Sequence, residues 1–279
     1  MTQQGLVAAA LREHFEVPSK VDLADLAKRM NLTIVELASD SFDGALVRDS
    51  QRGRILVNQA IRERGRKQFT IAHEIGHYIL HPDPSNSCVP RVVEGWQEGQ
   101  PEHERQADVF ASELLLPTKD VAGRLCGRWP SMSVVGDIAE HFGASMTAAA
   151  RKFCDVASQP CAVVWSTQKT IRWFHGSPTF AHFVPVGETV GFDSFAAKAF
   201  AGRELPKEME DVPAEDWIKS GFLRPDAVVS EQSFYAPNYD GCLSLIWVRR
   251  NIEDKPTVED ELLAELDPEQ FTIRRKHWR

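Results

Sequence analysis

His73 and His77 lie four residues apart, with Glu74 directly after the first, in the apolar stretch FTIAHEIGHYILHP at residues 69–82. On a helix, positions i and i+4 share a face, so both imidazoles can be offered to one ion while the glutamate projects beside them. Zinc takes such nitrogen ligands, and a catalytic zinc keeps one tetrahedral position for water. Two histidines leave that ion short of a protein ligand. The next predicted helix, in PEHERQADVFASELLLP, offers Glu104 on a face shared with Ala107, Asp108 and Ala111, where small side chains allow two helices to approach closely. Glu102 and His103 point about 100° or more away around that helix. His81 lies eight residues past His73, a rise of roughly 12 Å on a straight helix. No glycine stands between to fold it back, as the extended metalloprotease pattern requires. Glu104 is therefore the expected third ligand. Asp108, one turn on, is placed to hold a ligand histidine by its far ring nitrogen. The bland alternatives are a surface Asp108 paired with Arg105, and two core histidines matching by chance on the order of once per hundred such chains.

These residues need two helices and a sheet to hold them. The apolar positions Phe69, Ile71, Ala72, Ile75, Ile79 and Leu80 predict a mostly buried helix from about Arg62 to Leu80, ended by His81-Pro82. A second helix is expected from Pro101 to Leu116, closed by Pro117, and a short one from Thr118 to Leu125. Upstream, Leu23, Leu26, Ala27 and Met30 repeat at helical spacing behind Ser19, read as the cap, and a strand follows at Leu32 to Leu37. GALVRDSQRGRILVN reads as a hairpin. Residues 82–101 form a long irregular connection. SVVGDIAEHFGASMTAAARKF predicts two helices about Phe142-Gly143, resembling a helix-turn-helix over about 131–157. After residue 157 the pattern changes to strands: CAVVWS, TIRWFHG, AHFVPVG, DAVVSEQSFY and GCLSLIWVRR. The expected fold class is α+β, with a first domain at 1–157 and a strand-rich second domain at 158–279.

At 279 residues the chain can bury two cores. Its 43% apolar and 26% charged residues are those of a folded globular protein. A net charge of −8 argues against a protein that mainly neutralises phosphates, and so against direct DNA binding. The basic stretch Arg48, Arg52, Arg54, Arg62, Arg64, Arg66 and Lys67 and the terminal RRKHWR read as solvated faces. No 18-residue apolar span and no basic leader followed by an apolar run are present, so neither a membrane nor a secretory reading is supported. Cys88, Cys126, Cys154, Cys161 and Cys242 are odd in number, scattered and without a C-x-x-C pair, which suits a reducing cytoplasm.

RKQFTIAHEIGHYILHP followed by ERQADVFASELLLP resembles the ImmA/IrrE family of zinc-dependent peptidases, over roughly residues 15–157. The resemblance implies a zincin-like, thermolysin-type (gluzincin) core. It makes His73, His77 and Glu104 zinc ligands and Glu74 the catalytic base. It further implies a nearby-encoded helix-turn-helix repressor as the protein partner, cleaved to relieve repression in a stress, phage or mobile-element response. Radiation-response members carry a GAF-like sensor domain after the peptidase, and the strand-rich residues 158–279 are compatible with one. A substrate-docking or dimerisation role stands beside that reading. Tyr78, His81 and His103 are candidates for a second oxyanion donor, and the hairpin's edge could take an extended peptide as a further strand.

Two other classes compete. A DNA-binding regulator would read bases from SMTAAARKF, which offers Arg151 and Lys152 for the task. A protein-binding regulator with a purely structural zinc is the other, although it has no use for Glu74.

Overall fold

A computed structural model of the chain describes residues 2–48, 52–82 and 101–253. Helix α1 (Gln3–His14) opens it, capped by the Thr2 hydroxyl, which accepts from the Gly5 N–H. Its most buried residues are Gly5, Ala8 and Arg12, with Val7 and Leu11 packed partly buried against the first core. Arg12 donates to the carbonyls of Leu114 and Pro18 and so ties α1 to the far end of the fourth helix. The next helix, α2 (Leu23–Arg29), is capped by Asp22 and not by Ser19. One Asp22 carboxylate oxygen accepts from the N–H groups of both Ala24 and Asp25, satisfying two orphan donors of the first turn.

Strands β1 (Leu32–Leu37), β2 (Gly44–Arg48) and β3 (Gly53–Asn58) form a sheet in the order β1-β3-β2. β1 runs parallel to β3, and β2 antiparallel to it, so the expected hairpin exists and β2 is a sheet edge. The hairpin tip at 49–51 and the connection over 83–100 lie outside the described residues, as does Cys88. Helices α3 (Arg64–Leu80) and α4 (Glu102–Leu115) complete the first core around Leu26, Ile55, Val57, Ile75, Phe110 and Leu114. At the α3–α4 contact, a Cβ placed on Gly76 would come within 3.3 Å of the Ala107 backbone. Small residues at this crossing are thus the reason the two helices can bring their polar side chains together.

Three further helices follow: α5 (Thr118–Leu125), α6 (Met132–Phe142) and α7 (Met146–Val156). Ser131 and Ser145 cap the last two, and Gly143, at φ 69°, ends α6 in the left-handed conformation glycine tolerates. They pack on a five-stranded antiparallel sheet of β4 (Cys161–Thr167), β5 (Thr170–Gly176), β6 (Glu210–Pro213), β7 (Val228–Ala236) and β8 (Gly241–Trp247), in the order β5-β4-β8-β7-β6. Alternation along the strands divides its side chains. Val163, Leu243 and Leu245 face Val135, Ile138 and Phe153 of the helices. Val164, Cys242 and Ile246 face the other way, toward α8 (Phe195–Phe200), Trp217 and Ile218. Both faces are covered, which is why β8 reads as a nearly unbroken apolar run.

AHFVPVG, expected as a strand over 181–187, is irregular. Pro185 has no N–H for a ladder, and Gly187 turns at φ 91°, so the segment only touches β5, through the Gly187 N–H to the Ile171 carbonyl and the Ile171 N–H to the Glu188 carbonyl. α8 and β6 leave no clear pattern in the sequence because each is short, six and four residues. What pins α8 is buried Glu231, on β7. It accepts from the Phe195 and Ala196 N–H groups, the Trp217 indole and the Ser233 hydroxyl.

The helix-turn-helix-like segment is held from both sides. Lys152 is buried and pairs with buried Glu113 of α4 at 2.8 Å, and Glu113 also accepts from the N–H and hydroxyl of Thr118 at the start of α5. The Arg151 guanidinium lies 4.8 Å from the centre of the Trp173 ring on β5. The two side chains offered for base reading therefore join α7 to α4 and to the second sheet. No helix among the described residues is long and apolar enough to cross a membrane.

Candidate metal centre

His73, Glu74 and His77 all lie in the buried middle of α3, whose neighbours Ala72 and Ile75 are fully enclosed. α4 brings Glu104 and Asp108 to the same place, both buried. The ε nitrogens of His73 and His77 are 3.0 Å apart, and the two Glu104 carboxylate oxygens stand 3.3 Å from them, one from each. Ligating atoms of His73, His77 and Glu104 thus converge on one point, a group that could hold a metal ion. Its three members are those expected from the sequence.

The surroundings of this group are polarised. Asp108 Oδ1 is 2.8 Å from His73 Nδ1, on the far side of that ring from the cluster. Arg105, the rival partner for Asp108, instead pairs with Glu102 on the exposed face of α4. Burial opposes the charge on His73, but its bonds to Asp108 and Glu104, with the field of Glu74, prevail and carry its pKa up to about 9. For His77 burial dominates and holds the pKa down, the bond to Glu104 notwithstanding. Glu104 is also opposed by burial, yet its contacts with His73 and His77 take it far below the ordinary carboxylate range.

Glu74 differs in kind. Burial pushes its pKa up to about 7, against the pull of His73. Its Oε2 is buried and meets no hydrogen-bond partner among the described residues, and the same is true of the Thr70 hydroxyl one turn before it. Both side chains lie against Gly44, the first residue of edge strand β2. A Cβ there would fall 2.4 Å from Thr70 Cγ2 and 2.9 Å from Glu74 Oε1. Glu74 is thus a buried carboxylate with one oxygen unmatched, beside a convergent group of possible metal ligands and a sheet edge.

The three candidates for a second donor separate. Tyr78 packs into the first core against Gly53. His103 is half-exposed, with Nε2 3.5 Å from Glu104 Oε1. His81 ends α3, its Nδ1 3.0 Å from His77 Nδ1 and its Nε2 3.0 Å from Gln106 Oε1. The rise of the helix keeps His81 away from His73, as expected, but the same i, i+4 spacing that pairs the ligands places His81 behind His77, a relation that spacing alone could have suggested. Arg48 of β2, expected on a solvated face, donates instead to the His81 carbonyl, joining the edge strand to the end of α3.

A cavity of about 670 Å³ lies between the start of α3, α7 and the second sheet. Phe69, Trp165, Trp173, Phe234 and Leu243 line it. Phe69 is one turn before His73, ring centres 6.3 Å apart.

Residues 27–153 match the family model described as Peptidase_M78, the IrrE N-terminal-like domain. No curated protein matches the sequence. Among solved structures, a Mycobacterium tuberculosis transcriptional regulator is similar at a TM-score of 0.50 and 15% identity, over 89% of this chain and 76% of that one. At that identity the likeness speaks for the fold alone.

Proposed function

We propose, because residues 27–153 match the model of the IrrE N-terminal-like peptidase domain, that the chain is a zinc-dependent, site-specific endopeptidase acting on a helix-turn-helix repressor encoded near it. Glu74 carries the peptidase reading. It is buried, next in sequence to a ligand residue, with Oε2 unpartnered and its pKa raised to about 7. A metal site that served only stability would have no use for such a carboxylate. The ligand set fits zinc on its own dimensions. Atoms about 2.0–2.1 Å from a tetrahedral zinc lie roughly 3.3 Å from one another; the two histidine Nε2 atoms are 3.0 Å apart and each is 3.3 Å from a different Glu104 oxygen.

Zinc bound by His73, His77 and Glu104 would lower the pKa of water toward about 7 and polarise the scissile carbonyl. Glu74 accepts the proton of the attacking water and passes it to the leaving nitrogen. Asp108 keeps the proton of His73 on Nδ1, which turns Nε2 toward the ion. Edge strand β2 receives the substrate as an added strand, and its passage at Gly44 brings the peptide past Glu74. A repressor as substrate, a cytoplasmic setting, and a sensor-like (GAF-like), docking or dimerisation role for residues 158–279 belong to the same reading. They rest on the family and on the sequence.

The test compares wild type with Glu74→Gln, measuring bound zinc and incubating each with the repressor encoded nearest the gene. We expect zinc in both and a single cut by wild type, slowed about 10²–10⁴-fold or undetectable in the variant. Equal cutting by both, or well-folded wild type that takes up no added zinc, would overturn the mechanism.

A second reading, a DNA- or protein-binding regulator with structural zinc, draws on the mycobacterial neighbour, which is a transcriptional regulator. It requires an operator shift by this chain that Arg151 and Lys152 support. Those side chains are already engaged with Trp173 and Glu113.

A further inference from the structure

We propose that Glu102, Gln106 and His81 form a hydrogen-bond chain that sets the tautomer of His77, turning its Nε2 lone pair toward the metal. The inference deepens the metal-centre reading and rests on it. Three links of ordinary length make up the chain: Gln106 Nε2 to Glu102 Oε1 is 3.1 Å, Gln106 Oε1 to His81 Nε2 is 3.0 Å, and His81 Nδ1 to His77 Nδ1 is 3.0 Å.

Directions follow from the end of the chain inward. The Glu102 carboxylate, also paired with Arg105, can only accept, so Gln106 must present its NH₂ to Glu102 and its carbonyl oxygen to His81. An acceptor facing His81 Nε2 requires the proton of that ring to sit on Nε2, which leaves a lone pair on Nδ1. His77 must then carry its own proton on Nδ1 to satisfy that lone pair. Its Nε2 is left unprotonated, with its lone pair on the side of His73 Nε2 and Glu104. Had Gln106 been turned the other way, the chain would run in reverse and place the His77 proton on Nε2, where it would exclude a metal.

Asp108 does for His73 in one step what this chain does for His77 in three. The two ligands thus have separate supports, one a buried carboxylate and the other a relay reaching the surface of α4. His81 and Gln106 are positioning residues: they act through His77 and touch neither metal nor substrate. Arg48 steadies the relay by donating to the His81 carbonyl.

The experiment measures zinc affinity of the full chain by competition with a chromophoric chelator, with thermal unfolding in excess chelator to check each fold. His81→Leu cuts the chain and should weaken zinc binding about 10–100-fold. His81→Asn, whose Oδ1 can accept where Nδ1 did, should recover most of that loss, which a role in packing alone would not predict. Gln106→Met should weaken binding less, and His81→Leu combined with Gln106→Met should be no weaker than His81→Leu alone, because a chain already cut cannot be cut again. Should His81→Leu fail to fold, His81→Asn and Gln106→Met still decide: the proposal requires near-native affinity in the first and a measurable loss in the second. Wild-type affinity in His81→Leu, absence of rescue by asparagine, or additive losses would overturn the relay while leaving the zinc site standing. Wild type that binds no zinc would remove the metal reading itself, and the relay with it.

Discussion

His73 and Glu74 hold protons more tightly in the folded, metal-free chain than in the unfolded one. Their folded pKa values are about 9 and about 7, against ordinary values of 6.5 and 4.5. For both, the folded state binds the extra proton, so this part of the stability is present at low pH and is lost as pH rises, through about 7 for Glu74 and through about 9 for His73. Glu104, shifted downward, works in the opposite sense, its contribution being lost as pH falls below its ordinary value of 4.5, outside this range. Melting in excess chelator should therefore fall by roughly 5 °C or more between about pH 6 and 9.5. Zinc should abolish much of that dependence, because the ion replaces the His73 proton. A metal-free melting point that rises over this range would contradict the assignment. Asp108→Ala tests the support of His73 directly: zinc affinity should drop about 10–100-fold with α3 and α4 intact by circular dichroism.

The chemistry depends on how closely elements approach. Gly44 lets β2 lie against α3 where Thr70 and Glu74 emerge. Gly44→Ala must displace one of those side chains. Glu74 is the proposed base and not a ligand, so this variant should keep its zinc and lose about tenfold or more in cleavage rate, as misplacement of a reacting group does. Unchanged turnover would show that Glu74 tolerates a new position. At the α4–α7 contact, Glu113→Ala leaves Lys152 buried without its partner and removes the acceptor that starts α5. Loss of one member of a buried pair costs about 3–5 kcal/mol, to be read in denaturant unfolding.

Across the described residues, one core is shared between the helices that precede residue 157 and the strands after it. Val135, Ile138 and Phe153 pack with Cys161, Val163, Leu243 and Leu245. A fragment ending at residue 157 would expose that apolar layer of α5 to α7. We expect it to unfold at lower denaturant than the full chain and to bind a dye specific for exposed apolar surface. Equal stability would mean the helices stand without the second sheet. The cavity lined by Phe69 and Trp173 lies in this same seam, and Phe69 stands on the helix that carries His73.

The grouping of His73, His77 and Glu104 was legible from residue order because a helix imposes its period locally: His73 and His77 must share a face, and Glu104 must share one with Ala107 and Asp108. The α3 and α4 spans, the hairpin and most of the strands expected in the second region were readable for the same reason, local periodicity and turn chemistry. What could not be read depended on partners distant in the chain. Asp108 became a support for His73 only when Gly76 and Ala107 let α3 and α4 meet. Lys152 was a candidate for reading bases until Glu113 met it in the interior, and no local pattern marks Arg12 as the tie to the Leu114 carbonyl. The strand expected at 181–187 failed because Pro185 cannot join a ladder, whatever its apolar neighbours suggest. His81 gained a role from Gln106, on a different helix. Short-range order decides which side chains share a face, whereas burial and hydrogen bonding across elements decide what each of them does.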